Sequence, residues 1–244
     1  MPTEDGRRTA AQYDAMAAGY ASFNEVNAAN AHYERPATIA LLGDVAGKDV
    51  LEAGCGAGPL TWWLVEHGAT VRAFDVSPEM AALAQARVGD RADVTVRDLH
   101  DGLGHVDDAS QDIVVASLVV HYLRDWEGIF GEFRRVLRST GKVVFSTHHP
   151  AWDWQEHSPC DYFAVIQATE TWSRGGSPFE VTFWRRPLGE MTRVIAQAGF
   201  AIESIGEPEP LPELAGADPE ADSQLRTRPF FLFFCLRPRP LEWG

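Results

Sequence analysis

The chain has 244 residues, of which 21 are lysine or arginine and 35 are aspartate or glutamate, so its formal net charge is −14 at pH 7. So acidic a surface repels a nucleic-acid backbone, and we expect no nucleic-acid partner. Three lone cysteines form no disulfide framework and no apolar run reaches 18 residues, which predicts a cytoplasmic protein with no membrane partner.

Helix-like and strand-like apolar periods alternate along most of the chain. Alanine-rich residues 9–21 predict a first helix with Tyr13 and Tyr20 on one face, and residues 35–43 a second. Strands are predicted at residues 49–53, 71–75, 94–97, 112–117 and 142–147. Helices fall between them, and Gly141 is expected to end the helix that begins near Trp126. This alternation predicts an α/β fold, a doubly wound sheet with right-handed crossovers.

The last third departs from this rhythm. Residues 152–186 are rich in aromatic side chains and predict an insert, either a strand pair or a lid. A helix at 187–198, a strand at 201–206, a loop at 208–227 and a buried strand at 229–236 are expected to follow. We therefore predict a single domain with four parts: a lid-helix region (1–34), a cofactor-binding core (35–149), a substrate-cap insert (150–186) and a closing helix with strands (187–244).

Three glycines, Gly54, Gly56 and Gly58, lie between the first predicted strand and the helix after it. Glycine lets the backbone approach a ligand closely, and the start of a helix offers free N–H groups. Pro59 follows, and no later glycine completes the G-x-G-x-x-G spacing of dinucleotide enzymes. The turn therefore predicts a nucleotide-like ligand other than a nicotinamide dinucleotide.

Acidic residues stand at the ends of three predicted strands. Asp75 ends the second strand, where a carboxylate can accept hydrogen bonds from ribose hydroxyls, and Asp98 ends the third, where it can meet the adenine amine. Glu52 precedes the first glycine by two residues. From there it can reach the positive amino group of an amino-acid moiety, which dinucleotides lack.

These segments together resemble the motifs of a known family. Residues 50–58 (VLEAGCGAG), 74–77, 97–99, 112–118 and 135–141 are similar, in this order, to the motifs of class I S-adenosylmethionine-dependent methyltransferases, closest to their type 11 small-molecule branch. The match covers roughly residues 35–147. The resemblance implies a methyltransferase with a Rossmann-like seven-stranded sheet whose last strand is antiparallel. It also implies S-adenosylmethionine as cofactor and S-adenosylhomocysteine as product.

The same resemblance places the cofactor. Ser117 or Leu118 would meet its methionine end, and an N-terminal helix carrying Tyr13 and Tyr20 would close over it as a lid. The predicted cofactor-binding residues are Glu52, Ala53, Gly54, Cys55, Gly56, Gly58, Asp75, Val76, Met80, Asp98, Leu99, Ser117, Leu118, Tyr13 and Tyr20.

Histidines follow the fourth and fifth strands, on the side of the cofactor. His121 can take a substrate proton near neutral pH, or it can simply pack against its neighbours. Of His148 and His149, at most one is expected to enter the site, because adjacent residues of an extended chain point opposite ways. We predict His121 and His149 as catalytic, and His148, Trp152, Tyr122 and Trp184 as substrate-binding. No spaced set of ligands accompanies the histidines, so no metal is expected.

Transfer of a methyl group to a hydroxyl, carboxylate or amine of a small molecule is the predicted reaction, in a monomer or a homodimer. Methylation of carbon, or another reaction on the same fold, stays open as an alternative. A binding protein that kept the fold without catalysis is a second one.

Overall fold

The computed structural model describes residues 3–158, 160–172 and 178–239, except for the side chain of Phe179. Nine strands occur in this part of the chain: β1 Asp49–Ala53, β2 Thr70–Asp75, β3 Ala92–Val96, β4 Gln111–Ala116, β5 Leu137–His148, β6 Ile166–Trp172, β7 Phe179–Arg185, β8 Phe200–Gly206 and β9 Phe231–Pro238. The α-helices there are α1 Glu4–Val26, α2 Arg35–Leu42, α3 Pro59–Glu66, α4 Pro78–Val88, α5 Trp126–Val136, α6 Pro150–Glu156, α7 Leu188–Gln197, α8 Leu214–Ala217 and α9 Pro219–Thr227. A π-helix, Asn30–Glu34, leads directly into α2.

Seven strands form one sheet in the order β3-β2-β1-β4-β5-β9-β8. The strands β1 to β5 run parallel, whereas β9 lies antiparallel between β5 and β8. The predicted fold class is confirmed, because β9 is the last strand in the chain and it is the antiparallel one. The strand order reverses between β1 and β4, and this is the point at which open α/β sheets bind their ligands.

Two apolar layers sandwich the sheet. One is built around Trp126, Phe130 and Phe133 of α5, which pack against Phe145 and Phe234. The other joins α2 and α3 to the opposite face of the sheet through buried side chains such as Leu42, Leu60 and Leu64. Within the described residues, no helix is both long and apolar enough to cross a membrane.

The sequence pattern misplaced the end of α5. The helix ends at Val136, and Gly141 lies inside β5 rather than closing the helix. Gly141 is required for another reason: a Cβ atom there would come within 2.8 Å of the carbonyl oxygen of Asp112. The register between β4 and β5 shifts at this point, so the extra residues of β5 form an irregularity that a helix-period pattern does not reveal.

The region predicted as a loop at residues 208–227 contains two helices, α8 and α9, so that prediction was wrong. Asp218 caps α9 by accepting a hydrogen bond from the N–H of Ala221, and Pro219 takes the first helical position. Leu214 and Leu225 pack against Tyr33 and Phe231, and this burial holds an otherwise polar segment in helical form.

The aromatic insert contains α6 and a separate antiparallel hairpin of β6 and β7. Trp172 and Phe183 of the hairpin are buried together with Tyr122, which follows β4. The insert is therefore packed over the carboxyl end of the sheet, beside α1. The division of the chain into four parts stays a prediction, and residues 1, 2, 159, 173–177 and 240–244 of that division lie outside the described residues.

Candidate active site

Two adjoining cavities open at the carboxyl ends of the parallel strands. We call the larger one the glycine-turn cavity; it holds about 1010 Å³ of empty space, including open solvent at its mouth. The turn after β1 forms its floor, and α1 covers it. Its lining residues are Gly6, Thr9, Tyr13, Tyr20, Asn24, Asn30, Glu34, Arg35, Glu52, Gly54, Cys55, Gly56, Ala57, Pro59, Leu60, Phe74, Asp75, Val76, Arg97, Asp98, Leu99, His100, Ser117, Leu118, Val119, Tyr122 and Leu123.

The glycine turn takes the left-handed conformation that glycine alone adopts freely, with φ of 72° at Gly54 and 77° at Gly58. A Cβ atom at Gly58 would approach the Cα of Ala84 to 2.9 Å, so this position also needs glycine for the packing of α3 against α4. The backbone is thereby free to line the cavity without side chains in the way.

Glu52 is the most unusual acid in the cavity wall. Only 2% of its surface is exposed, and its carboxyl accepts a hydrogen bond of 2.7 Å from the hydroxyl of Thr61. Burial raises the pKa of Glu52 to about 8, helped by the nearby charges of Asp75 and Glu34 and opposed by the Thr61 hydroxyl. A cationic ligand group beside it would replace the missing counter-charge.

Asp75 stands at the end of β2, against the glycine turn. Its carboxylate accepts hydrogen bonds from the backbone N–H groups of Gly56 and Ser77, both at 2.9 Å. Burial raises the pKa of Asp75, while these two N–H groups oppose the rise. The two N–H donors fix the carboxylate between turn and helix, where each oxygen keeps lone pairs for a ligand hydroxyl.

The start of α1 covers Asp98. The carboxylate accepts hydrogen bonds from the N–H of Thr3 (3.2 Å), from the hydroxyl of Thr3 (3.1 Å) and from the backbone N–H of His100 (2.9 Å). Burial by itself would raise the pKa of Asp98, but the His100 and Thr3 hydrogen bonds and the charge of His100 lower it overall. The predicted lid helix is thus anchored at the predicted adenine position.

Tyr13 and Tyr20, the two predicted lid residues, both line the glycine-turn cavity. The hydroxyls of Tyr13 and Tyr122 lie 2.6 Å apart, a hydrogen bond that ties α1 to the segment after β4. The ring of Tyr20 meets that of Tyr13 edge to face at 5.5 Å.

Most predicted cofactor-binding residues line this cavity, but three do not. Ala53 and Met80 are fully buried, and Gly58 lies beneath the turn as the residue before α3. Met80 packs with Ala17 and Ala57 beneath α1.

Four lining residues near the start of α2 were missed by sequence reasoning: Asn24, Asn30, Glu34 and Arg35. The buried Glu34 accepts hydrogen bonds at one carboxylate oxygen from the hydroxyls of Thr38, Ser117 and Ser146. Arg35 donates to the backbone and side-chain oxygens of Asn24, and burial lowers the pKa of its guanidinium. The only signal in the sequence was an acid and a base side by side where the second helix begins.

The smaller cavity, which we call the aromatic cavity, holds about 490 Å³ of empty space. It shares Tyr13, Tyr20, Asn30, Leu118 and Tyr122 with the glycine-turn cavity. Its other lining residues are His121, His148, Trp152, Asp153, Glu170, Trp172, Phe230 and Phe231. Asp153 and Glu170 had not been predicted, because only the fold of the insert brings them beside the histidines.

His121 and His148 stack with ring centroids 4.1 Å apart. Burial, together with the neighbouring His148, lowers the pKa of His121 well below its usual range. Among the described residues, its Nδ1 has no hydrogen-bond partner. Asp153, which is 4% exposed, places a carboxylate oxygen 3.5 Å from Nδ1 of His148. An acid that orients one ring nitrogen leaves the other, Nε2, to exchange a proton.

Two predicted acceptor-site residues, His149 and Trp184, are not among the residues that line the aromatic cavity. His149 caps α6 by accepting from the N–H of Ala151, and its Nε2 lies 2.8 Å from a carboxylate oxygen of Glu207. Its backbone is extended (φ −76°, ψ 126°), so its side chain points away from that of His148. Trp184 on β7 instead contacts Asp5 and Arg124. His121, His148, Trp152 and Tyr122 do line the cavity.

Comparisons with known proteins agree on one family. The model of a methyltransferase domain, type 11, matches residues 51–145. The crystal structure of an S-adenosylmethionine-dependent methyltransferase from Mesorhizobium loti is similar, with 30% identity and a TM-score of 0.66, over 83% of this chain and 96% of that one.

Two curated relatives match over a shorter region. The malonyl-[acyl-carrier protein] O-methyltransferase of Serratia marcescens is 34% identical over 41% of this chain and 38% of its own length. The demethylmenaquinone methyltransferase of Tropheryma whipplei is 32% identical over half of each chain. The chain therefore spans at most half the length of these two relatives.

Proposed function

Because the chain belongs to the S-adenosylmethionine-dependent methyltransferases, we propose that it moves the methyl group of this cofactor to a small acceptor bound in the aromatic cavity. The observation that carries the proposal is the shared wall of the two cavities. Tyr13, Tyr122 and Leu118 line both, so a methyl group presented from one side meets an acceptor on the other.

The glycine-turn cavity fits the parts of the cofactor one by one. Asp75 accepts from the ribose hydroxyls and Asp98 from the adenine amine. Glu52 meets the α-ammonium group, whose positive charge stabilises a buried carboxylate. Arg35 binds the α-carboxylate. Among the described lining residues it is the arginine near Glu34 and Asn30, away from the adenine end of the cavity.

The bound cofactor supplies an activated methyl group, so the protein mainly has to align the acceptor and exclude water. The α1 helix, anchored at Asp98 and Tyr122, closes the site from solvent. His148, oriented by Asp153, removes a proton from the acceptor atom. His121 is held neutral by burial and offers its unpartnered Nδ1 as a hydrogen-bond acceptor.

The acceptor atom is proposed to be the oxygen or nitrogen of a hydroxyl, carboxylate or amine. The name of the Serratia relative contains O-methylation, which supports transfer to a heteroatom. Transfer to carbon is the competing reaction, and the position of the transferred methyl group distinguishes the two.

A binding measurement followed by a transfer assay tests the proposal. Calorimetry should show saturable binding of S-adenosylmethionine and S-adenosylhomocysteine, and Asp75→Asn should weaken both about tenfold or more through loss of charge-assisted hydrogen bonds. Incubation with methyl-labelled cofactor and a panel of phenols, carboxylic acids and amines should then give an O- or N-methylated product. A labelled product methylated only on carbon, or unchanged affinity in Asp75→Asn, would contradict the proposal.

A further inference from the structure

The aromatic cavity has an unusual charge balance. It contains two carboxylates, Asp153 and Glu170, and two imidazoles, His121 and His148. None of the described residues that line it is a lysine or an arginine. Seven aromatic side chains make up most of the remaining described wall: Tyr13, Tyr20, Tyr122, Trp152, Trp172, Phe230 and Phe231.

Both carboxylates are held in position by neighbouring side chains. Glu170 accepts a hydrogen bond of 2.8 Å from the indole N–H of Trp172, and its other oxygen lies 3.4 Å from Nε2 of His157. Asp153 is almost fully buried, and one of its carboxylate oxygens lies 3.5 Å from Nδ1 of His148. A negatively charged acceptor entering here would be repelled, because carboxylates in a partly dry cavity act at short range with little screening.

Resting on the function proposed above, we infer that the acceptor is an amine, which enters the aromatic cavity as an ammonium ion on an aromatic or apolar frame. Aromatic faces attract an ammonium group, most strongly when it is desolvated, and rings combined with carboxylates are the usual recognition set for such cations. The unpartnered Nδ1 of the buried His121 gives the ammonium group a hydrogen-bond acceptor. The apolar rings bury the frame of the ligand.

The transfer step balances with groups that are present. His148 takes one proton from the ammonium ion and leaves a neutral amine with a free electron pair. That pair forms the new nitrogen–carbon bond while the sulfur–carbon bond breaks and sulfur keeps its electrons, which converts a sulfonium into a thioether. The methylated product is again an ammonium ion, and the proton on His148 leaves to solvent.

A matched set of probes separates charge from shape. Tryptamine, tryptophol and indole-3-propionate share one ring system and carry an ammonium, a hydroxyl and a carboxylate. Phenethylamine, 2-phenylethanol and 3-phenylpropionate form a second set. Binding of each to protein saturated with S-adenosylhomocysteine is measured by ligand-observed NMR. We expect both amines to bind at least about tenfold more tightly than the matched acids, given the cost of placing like charges together.

Two variants locate the effect. Glu170→Gln should weaken amine binding by about threefold to fivefold, as expected for one partly exposed ion pair, and leave the alcohols unchanged. Glu180→Gln is the control, since it removes an exposed carboxylate from the same hairpin. The inference would be overturned by any of three results: the acids bind as tightly as the amines, the amines do not bind at all, or amine affinity is unchanged in Glu170→Gln. Failure of S-adenosylhomocysteine itself to bind would contradict the proposed function. If it binds normally and one of the three results above is found, only the assignment of an amine acceptor is wrong.

Discussion

Replacing Glu52 by glutamine tests how the buried acid of the glycine-turn cavity couples pH to stability and to cofactor binding. The side chain is 2% exposed, and its pKa lies at about 8 instead of 4.5. Glutamine has nearly the same shape and can still accept the hydrogen bond from Thr61. It carries no charge at any pH, so the exchange removes the titration and little else.

The raised pKa of Glu52 determines how the stability of the folded protein changes with pH. Between pH 4.5 and 8 the unfolded chain has lost the Glu52 proton while the folded chain keeps it, so rising pH favours unfolding. At about 1.4 kcal/mol per pH unit, the shift corresponds to about 5 kcal/mol across the whole window. The stabilising contribution of the protonated Glu52 is complete below pH 4.5 and is lost as pH rises through 8.

Cofactor binding should show the opposite trend. The α-ammonium group binds the carboxylate form of Glu52, so below pH 7 binding expels a proton, and affinity should rise about tenfold per pH unit. An α-amino group keeps its own proton up to a pKa of about 8, so the cofactor does not titrate in this range. In Glu52→Gln the affinity should be weaker at pH 7 and independent of pH between 5.5 and 7, as about one ion pair is lost.

Two assays check this prediction. Urea unfolding of the cofactor-free protein at half-unit steps from pH 5 to 8 should give a difference between Glu52→Gln and the parent that grows with pH. Calorimetry in buffers of different ionisation enthalpy should detect release of close to one proton per cofactor bound by the parent at pH 6. Glu79→Gln, which removes an exposed acid on α4, is the control. Parallel stability curves for parent and Glu52→Gln, with no proton release, would refute the reasoning.

Two further predictions concern the base and the turn. His148→Gln should lower kcat about 100-fold or more with little change in KM, while the control His149→Gln, outside the cavity, should leave kcat unchanged. The loss of kcat in His148→Gln should be smaller for an acceptor that is already deprotonated at the assay pH. An equal loss for protonated and deprotonated acceptors would mean that His148 only supports the structure. Gly58→Ala should cost about 2–5 kcal/mol in denaturant unfolding, because left-handed backbone strain adds to a 2.9 Å approach to the Cα of Ala84. Gly56→Ala, with φ of 54° and no atom within 4 Å of the added Cβ, should cost only about 1–2 kcal/mol, so equal losses in the two variants would argue against the packing part of that cost.

Local rules explain why much of the core could be read from the sequence. The strand β1 has the predicted bounds, because Val50, Leu51 and Ala53 give it the apolar character of a parallel strand buried on both faces. Ser77, a residue type that favours helix N-caps, caps α4 because its hydroxyl accepts a hydrogen bond from the N–H of Met80 three residues later. Both signals depend only on residues a few positions apart.

The errors have the opposite origin. The end of α5 and the irregular start of β5 depend on the backbone of β4, and the helix at Pro219–Thr227 depends on burial against Tyr33 and Phe231. For His148 and His149, a sequence shows that adjacent residues point opposite ways but not which of the two points inward.

The amino-acid sequence by itself determined the alternation of strands and helices, the glycine turn and the acids at the strand ends. These follow from backbone conformation and hydrophobic period, which are properties of short segments. Only the tertiary structure decided that Asp153 and Glu170 of the insert lie with His121 and His148 under α1. Such a cavity arises where segments distant in sequence pack together, so its charge and shape belong to the packing and not to any one stretch of the chain.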